Sequence, residues 1–201
     1  MKSLSKNLSD VSVAFIAGQL GLGGAERQLF YILRVLIDHE CKVNIITLGN
    51  GDYYENLIKE LGIKIYHAGF STNRFKRLVS IISAIKETNP SVIQSAHFHT
   101  NAYAAVSGYF LGIPSIGAIR SNGIDEIRNT GELFGKLCLH LPKYLAANST
   151  IGKTYANSRG IPDKRLRLLP NVIDTSKFFL SENQQIDQIT KILLVSNLSL
   201  P

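Results

Sequence analysis

Gly18-Gln19-Leu20-Gly21-Leu22-Gly23-Gly24-Ala25-Glu26-Arg27 is the stretch that decides the fold. It follows an apolar run, Val11 to Ala17, and opens a segment whose leucines recur at helical spacing. A glycine-rich turn between a strand and a helix lets backbone approach a ligand, and free N–H groups at the helix start favour an anion. The candidate ligand-binding residues of this turn are Gly21, Gly23, Gly24, Glu26 and Arg27.

Two familiar phosphate-binding motifs do not fit this turn. A dinucleotide fingerprint needs a glycine three residues after Gly23, where Glu26 stands, and a P-loop needs Lys followed by Ser or Thr, where the chain has Gly24-Ala25. The turn therefore faces an anion or a sugar in another class of protein, or it is a tight turn without a ligand. Glu26 also complements the helix dipole, which requires no ligand at all.

Strands and helices alternate along the rest of the chain. Apolar patterns predict further strands at 42–48, 63–67, 91–96, 114–120, 143–147 and 166–169, and helices at 53–61, 74–88, 101–111, 132–141 and 149–158. This alternation predicts an α/β fold, a Rossmann-like doubly wound parallel sheet with helices on both faces. Ligands of such sheets bind outside the carboxyl ends of the strands, so the polar residues that follow each strand are informative.

Two histidines follow the fourth predicted strand, in Ala96-His97-Phe98-His99-Thr100-Asn101. Near neutral pH an imidazole can exchange a proton or hydrogen-bond a sugar hydroxyl. The alternative is a histidine that caps the next helix and has no chemical role. No third ligand lies nearby in the sequence, so we expect no metal site.

Arg120-Ser121-Asn122 follows the fifth predicted strand and combines one fixed positive charge with two polar neighbours. An arginine at this position can hold a phosphate or a carboxylate through two parallel hydrogen bonds. An ion pair with Asp125 or Glu126 explains the arginine equally well.

Three segments together resemble the N-terminal domain of family-four (group 1) glycosyltransferases of the GT-B type. They are Gly23-Gly24-Ala25-Glu26-Arg27, Phe98-His99-Thr100-Asn101, and the stretch from Asn171 to Phe178. Members of that family are retaining enzymes that move a sugar from a nucleotide-sugar donor to an acceptor. Val172 stands where the family has a glycine, and Gln94 and Ala96 stand where it often has histidines.

The resemblance implies roles for individual residues. We favour His99 over His97 as the catalytic residue, and the residues expected at an acceptor or phosphate are His97, Asn101, Arg120, Ser121, Asn122 and Asn171, beside those of the glycine turn. The family resemblance also implies that the protein needs no cofactor and that a nucleotide-sugar is its co-substrate. The implied acceptor is a saccharide or a lipid-linked saccharide. In the family the donor is held mainly by a C-terminal domain.

Charge and cysteine content narrow the possible partners. A net charge of +7 is compatible with an anionic membrane surface. The densest basic groups, Arg74-Lys76-Arg77 and Lys164-Arg165-Arg167, lack interleaved aromatic residues, so we expect no nucleic acid. Cys41 and Cys138 lie far apart without metal-type spacing and indicate thiols of a reducing compartment. We expect a cytoplasmic protein, compatible with a peripheral position at the inner face of the cell membrane.

The domain prediction assigns residues 1–10 to a disordered leader and 11–180 to a Rossmann-like acceptor-side domain. Residues 181–190 are predicted as a linker, and 191–201 as the first strand of a truncated donor-binding domain, so the fragment alone is expected to be inactive. The alternative function is a non-catalytic Rossmann-like module that binds a phosphorylated or sugar ligand. A hydrolase is disfavoured because the chain has no Gly-x-Ser-x-Gly elbow.

Overall fold

The computed structural model describes residues 8–69 and 71–176. Within them, strands and helices alternate as the sequence predicts. The strands are β1 (Ser12–Ala17), β2 (Lys42–Thr47), β3 (Lys64–His67), β4 (Val92–Ser95), β5 (Ser115–Ile119), β6 (Tyr144–Ala147) and β7 (Leu166–Leu168). The α-helices are α1 (Gly24–Asp38), α2 (Tyr53–Glu60), α3 (Arg74–Thr88), α4 (Asn101–Leu111), α5 (Ile124–Thr130), α6 (Glu132–His140) and α7 (Thr150–Ser158). Phe98–Thr100 and Asp163–Arg165 are short 3-10 helices.

The predicted helices at 74–88 and 101–111 are confirmed to the residue. Their ends are marked in sequence by Asn73 as N-cap and by Gly112, which adopts the left-handed conformation after α4. The sequence did not predict α5. It has only seven residues between Gly123 and Gly131, both at positive φ, and so short an element shows no readable apolar period.

The seven strands form one parallel sheet in the order β3-β2-β1-β4-β5-β6-β7. β1 pairs with β2 on one side and with β4 on the other. The chain therefore builds the sheet outward from β1 in one direction, then returns and continues from β4 in the opposite direction. This confirms the doubly wound Rossmann-like prediction, and it makes the gap between the carboxyl ends of β1 and β4 the topological switch point.

Alternate residues of β1 face opposite sides of the sheet, and both sides are covered by helices. Phe15 is fully buried with Leu29 and Leu33 of α1. Its neighbour Ile16 is fully buried on the other side with Ile81 of α3 and residues of α4. This two-sided burial explains why the central strand is apolar at consecutive positions rather than at every second one.

The domain prediction extends beyond the described residues at both ends of the chain. Leu8 packs against the core, and its backbone N–H donates to the carbonyl of His39. Residues 1–7 of the predicted leader at 1–10 lie outside the described residues. The predicted linker at 181–190, the predicted strand at 191–201 and Phe178 lie outside the described residues. Among the residues that are described, no helix is long and apolar enough to cross a membrane.

Candidate active site

The candidate site lies at the switch point between β1 and β4. The turn after β1, Gly18 to Gly23, and the turn after β4, Ala96 to Thr100, lie side by side there. The Thr100 hydroxyl is within hydrogen-bonding distance of the Ile16 carbonyl of β1 (3.1 Å) and of the His97 carbonyl (2.8 Å). A buried side chain thus fixes the second turn to the first strand.

The imidazole of His97 connects three elements of the chain. Its Nδ1 accepts from the backbone N–H of Gly18 at 3.1 Å, and its Nε2 lies 3.0 Å from Oε1 of Glu26, in the first turn of α1. Because Nδ1 accepts, the proton of the neutral ring is on Nε2, which donates to the carboxylate. Both side chains are nearly inaccessible, with exposed fractions of 12% for His97 and 4% for Glu26.

Glu26 stays ionised despite its burial. Desolvation favours the neutral acid, but hydrogen bonds from His97, from the backbone N–H of Glu26 and from the Gln19 amide together lower the pKa of this carboxyl below its ordinary value. The Gln19 amide donates to Oε1 at 3.2 Å. The ionised carboxylate of Glu26 therefore links the glycine turn to His97 through hydrogen bonds with Gln19 and His97. This role is additional to the interaction with the helix dipole that the sequence suggests.

The glycines of the turn have two different functions. A Cβ atom on Gly18 would lie 2.1 Å from Nε2 of His99, and one on Gly23 would lie 2.1 Å from Oε2 of Glu26. A side chain at either position would have to displace one of these functional groups. A Cβ on Gly21 or Gly24 would meet nothing within 4 Å, so the backbone at these positions is open to a ligand.

His99 faces the open side of the turn. Its ring stacks on that of His97 with a centroid distance of 5.5 Å, and no residue of the described ranges hydrogen-bonds either ring nitrogen. Desolvation against the turn, followed by His97 and Arg77, lowers the pKa of His99 to about 4. Its nitrogens are thus available at neutral pH to donate to and accept from a hydroxyl.

Arg120 brings a positive charge to the end of β5. Its Nε donates to the carbonyl of Ala96 at 3.3 Å, which places the guanidinium beneath the histidine turn, while Nη2 is buried with no hydrogen-bond partner. Neither of the ion pairs considered from sequence is formed, since Asp125 pairs with Arg128 and Glu126 instead accepts from the backbone N–H of Arg120 at 2.7 Å. A buried guanidinium without an ion pair is suited to receive an anion.

Glu126 is a feature of the site that sequence reasoning missed. Burial raises the pKa of its carboxyl to about 7, although hydrogen bonds from the Arg120 and Ser121 backbone and the nearby guanidinium oppose the increase. Its Oε2 is buried without a hydrogen-bond partner. The only signal for Glu126 in the sequence is its position six residues after Arg120, which suggests an ion pair. Its burial is not apparent from that position.

Two of the predicted ligand-binding residues have structural roles instead. Asn101 is fully buried, and its amide exchanges two hydrogen bonds with the backbone of Ala118 in β5, at 2.7 and 3.0 Å. Asn122 accepts from the backbone N–H of Asp125 and donates to its carboxylate, as a cap of α5. Both side chains use their polar groups within the protein, so we no longer include them among the ligand-binding candidates. Ser121 remains exposed at the rim.

Arg27 and Asn171 meet at the opposite end of the glycine turn. Together with Gln28, Tyr31, Val172 and Ile173 they line a groove of about 420 Å³. The Gln28 amide binds both polar groups of the Val172 backbone, at 2.8 and 2.9 Å, which holds the segment after β7 against α1.

Residues from the ends of β1, β4, β5 and β7 therefore share one edge of the sheet, as the topology predicts. In the part of the chain that is described, no cluster of side chains is suited to a metal.

The sheet order and the glycine turn define a Rossmann-like domain of the kind that forms half of a GT-B fold. The family profile described as Glycosyltransferase Family 4 matches residues 22–177, and the chain belongs to that family. The search of curated proteins found no match.

Solved structures of low sequence identity share the fold. HepE from Anabaena in complex with UDP-glucose is 15% identical, with a TM-score of 0.68 over 85% of this chain and 46% of that one. The lipopolysaccharide outer core galactosyltransferase WaaB is 17% identical, with a TM-score of 0.62 over 81% and 46%. The UDP-GlcNAc 2-epimerase from Methanocaldococcus jannaschii is 19% identical, with a TM-score of 0.59 over 80% and 46%. The chain spans about half the length of these proteins.

The contrast between Gly23 and Gly24 gives a first prediction. Gly23→Ala places a methyl group against the Glu26 carboxylate and is expected to lower the free energy of unfolding by about 1–3 kcal/mol, since it disrupts a buried charged hydrogen bond. Gly24→Ala enters open space at the start of α1 and is expected to leave stability unchanged or slightly raised. Urea denaturation of both variants measures the difference, and equal stabilities would contradict the described contact.

The raised pKa of Glu126 gives a second prediction. Between its ordinary value of 4.5 and about 7, the folded protein holds a proton that the unfolded chain releases. Glu126 therefore contributes stability, on the order of 1–3 kcal/mol, that is lost as pH rises through this window. His99 acts in the opposite sense over an overlapping window, because its lowered pKa contributes stability that is lost as pH falls towards 4. The contribution of Glu126 is therefore read from the difference between the wild type and Glu126→Gln. The free energy of unfolding of the wild type minus that of Glu126→Gln should fall as pH rises from 4.5 to about 7. Glu26 acts in the opposite sense and at lower pH, because its lowered pKa contributes stability that is lost only as pH falls below about 4.5.

Urea titrations of both proteins across pH 4.5 to 7 test the second prediction. A difference between the two proteins that does not change with pH would contradict the raised pKa of Glu126.

Proposed function

We propose that this chain is the acceptor-side half of a retaining glycosyltransferase, which transfers a sugar from a nucleotide-sugar donor to a saccharide or lipid-linked acceptor. Membership of the family supports sugar transfer. One observation carries the acceptor-side assignment: an open glycine backbone, a neutral imidazole and an unpaired guanidinium meet along one edge at the switch point. Such an edge offers polar contacts to hydroxyls and a positive charge to a phosphate.

His99 is the residue that we propose touches the acceptor. Its ring nitrogens have no partners among the described residues, and its pKa of about 4 keeps the ring neutral at physiological pH. A neutral imidazole can accept the proton of an attacking hydroxyl or orient that hydroxyl by a hydrogen bond. His97 cannot serve in this way without losing a bond, because both of its nitrogens are engaged by Gly18 and Glu26.

Arg120 is proposed to bind an anionic group of a substrate. Its buried, unpaired Nη2 provides a charge-assisted hydrogen bond that a phosphate oxygen can accept. Both a phosphate-bearing acceptor and the diphosphate that leaves the donor carry such oxygens. Stabilisation of the departing charge would lower the barrier without a metal ion, since preorganised donors act strongly in a partly buried site.

The donor is proposed to bind mainly to a second domain. The solved relatives are about twice as long as the matched region, and HepE has been solved in complex with UDP-glucose. We infer that the reading frame continues beyond codon 201 into a second α/β domain that binds the donor, and that residues 1–201 alone do not transfer sugar. Sequencing the gene downstream, followed by a transfer assay on the encoded protein with an NMR determination of the product anomer, tests this proposal.

Each result of that test is informative. Acceptor-dependent release of a nucleoside diphosphate, with the donor's anomeric configuration retained in the product, would support the proposal. An inverted product would contradict retention. A reading frame that stops at codon 201, together with a chain that binds a sugar phosphate but transfers nothing, would favour the non-catalytic module.

A third prediction concerns the two residues at the centre of the site. In the protein encoded by the whole frame, His99→Ala should lower the transfer rate by about a hundredfold or more. Arg120→Ala should lower it by about tenfold to a hundredfold, as expected for the loss of a charged hydrogen bond. Steady-state assays, with circular dichroism to verify folding, measure the effects.

The matched controls are His140→Ala and Arg128→Ala, which alter exposed side chains on α6 and α5. They should retain full activity. Wild-type turnover in His99→Ala or in Arg120→Ala would remove that residue from the site.

A further inference from the structure

Arg77 is a second arginine beside the candidate site, and its positive charge is not paired. It lies near the start of α3 and is partly buried. Its Nη2 donates to the Ser71 carbonyl at 3.0 Å, its Nη1 lies 3.5 Å from the Tyr103 hydroxyl, and its Nε is buried without a hydrogen-bond partner. Both partners are neutral, and Arg77 forms no ion pair with any residue in 8–69 or 71–176.

Tyr103 connects Arg77 to the turn that carries His99. It follows His99 by four residues, about one helical turn further along the chain, near the start of α4. The Tyr103 ring is 6% exposed and packs edge-on against Phe134 with a centroid distance of 6.1 Å, so the position of its hydroxyl is fixed. The charge of Arg77 also contributes to the lowered pKa of His99. Arg77 therefore approaches His99 from α3, whereas Arg120 approaches the same turn from β5.

The three segments around Arg77 contain no carboxylate. Residues 68–73, the first turn of α3 and the whole of α4 have neither Asp nor Glu. Arg120 differs, because the carboxyl of Glu126 is its neighbour. Arg74 differs as well, since its exposed guanidinium lies 4.3 Å from the centroid of the Phe134 ring. A partly desolvated guanidinium without a counter-charge is costly, which indicates that an anion binds there.

Arg77 and Tyr103 offer hydrogen-bond donors to such an anion. A guanidinium has only donors, and because the Tyr103 oxygen faces Nη1 of Arg77, the hydroxyl proton is left to donate elsewhere. A phosphate suits these donors better than a carboxylate does, because its oxygens point in several directions and its charge at neutral pH approaches two. The Asn73 side chain already accepts from the backbone N–H groups of Phe75 and Lys76, so side chains rather than the end of α3 hold the anion.

We propose that Arg77 and Tyr103 bind a phosphate group of the acceptor, so that the acceptor is a phosphate-bearing saccharide rather than a neutral one. The identity of this ligand as the acceptor rests on the proposed function of His99. A phosphate held beside His99 would orient the attacking hydroxyl towards the imidazole. Arg120 is then left for the diphosphate that departs from the donor, and the two arginines have separate roles.

Phosphate binding by the 201-residue chain tests the proposal without any donor. The probes are inorganic phosphate and glucose 1-phosphate, compared with glucose and glucuronate at one ionic strength by isothermal titration calorimetry. We expect both phosphates to bind about tenfold or more tightly than glucuronate, because they form more charge-assisted hydrogen bonds. Phosphate should also raise the pKa of His99 from about 4, since a nearby anion favours the imidazolium, and an NMR titration of the ring protons measures this change.

Three single variants locate the phosphate. Arg77→Gln should weaken phosphate binding about tenfold to a hundredfold, as expected for the loss of a charged hydrogen bond. Tyr103→Phe keeps the packed ring and should weaken binding several-fold. The matched control is Arg74→Gln, which makes the same change of net charge three residues earlier in α3 and should bind phosphate as the wild type does. Circular dichroism and thermal unfolding verify that each variant folds.

Four results would overturn the proposal. They are no measurable binding of phosphate, equal binding of glucose 1-phosphate and glucuronate, wild-type binding by Arg77→Gln and Tyr103→Phe, and an equal loss of binding in Arg74→Gln. Loss of binding in Arg120→Gln but not in Arg77→Gln would place the phosphate at Arg120 and would also contradict the proposal.

The source of the phosphate is assigned with one further probe, a sugar linked to a short prenyl chain through a diphosphate. Tighter binding of this compound than of glucose 1-phosphate would support the proposal with a lipid-linked acceptor, and the reverse would support it with a free sugar phosphate. In the protein encoded by the whole frame, Arg77→Gln should raise KM for the phosphate-bearing acceptor more than it lowers kcat. Because the binding measurements use no donor, their failure leaves the proposed transfer intact, and failure of transfer leaves the phosphate site intact.

Discussion

The rim of this domain depends on one buried pair, the carboxylate of Glu26 and the imidazole of His97. An ionised carboxylate that is removed from water must find hydrogen bonds, and Glu26 obtains them from His97 and Gln19. The other nitrogen of His97 receives the Gly18 N–H. The end of β1 and the start of α1 are thus fixed to the end of β4, which is about seventy residues away in sequence, at the place where the sheet reverses direction.

This constraint separates the two histidines into different roles. His97 has both nitrogens committed to the protein, so its orientation is fixed. His99 stacks on that ring and lies over Gly18, where a side chain would displace the imidazole from this position. His97 therefore supports the ring of His99, the residue proposed to contact the acceptor. Arg120, anchored to the Ala96 carbonyl, adds a positive charge beside the same turn.

Much of this arrangement could be predicted from the sequence, because it follows from local patterns. The spacing of apolar residues predicted the order of strands and helices. The rule that ligands of parallel sheets bind beyond the carboxyl ends of the strands predicted the edge where the polar residues meet. Individual roles could not be predicted. The amide of Asn101 looks like a ligand-binding group until Ala118 is seen opposite it, and Glu126 looks like an ion-pair partner until its burial is known. Such roles depend on contacts between distant segments, on which local sequence carries no information.

A double-mutant cycle on Glu26 and His97 tests the central claim most directly. The free energies of unfolding are measured for Glu26→Ala, His97→Ala and the double variant under one set of conditions. If the pair holds the turns together, the double variant loses less stability than the sum of the single variants, with a coupling of about 1–3 kcal/mol. Additive losses, within about 0.5 kcal/mol, would show that the two side chains act independently and would contradict the account.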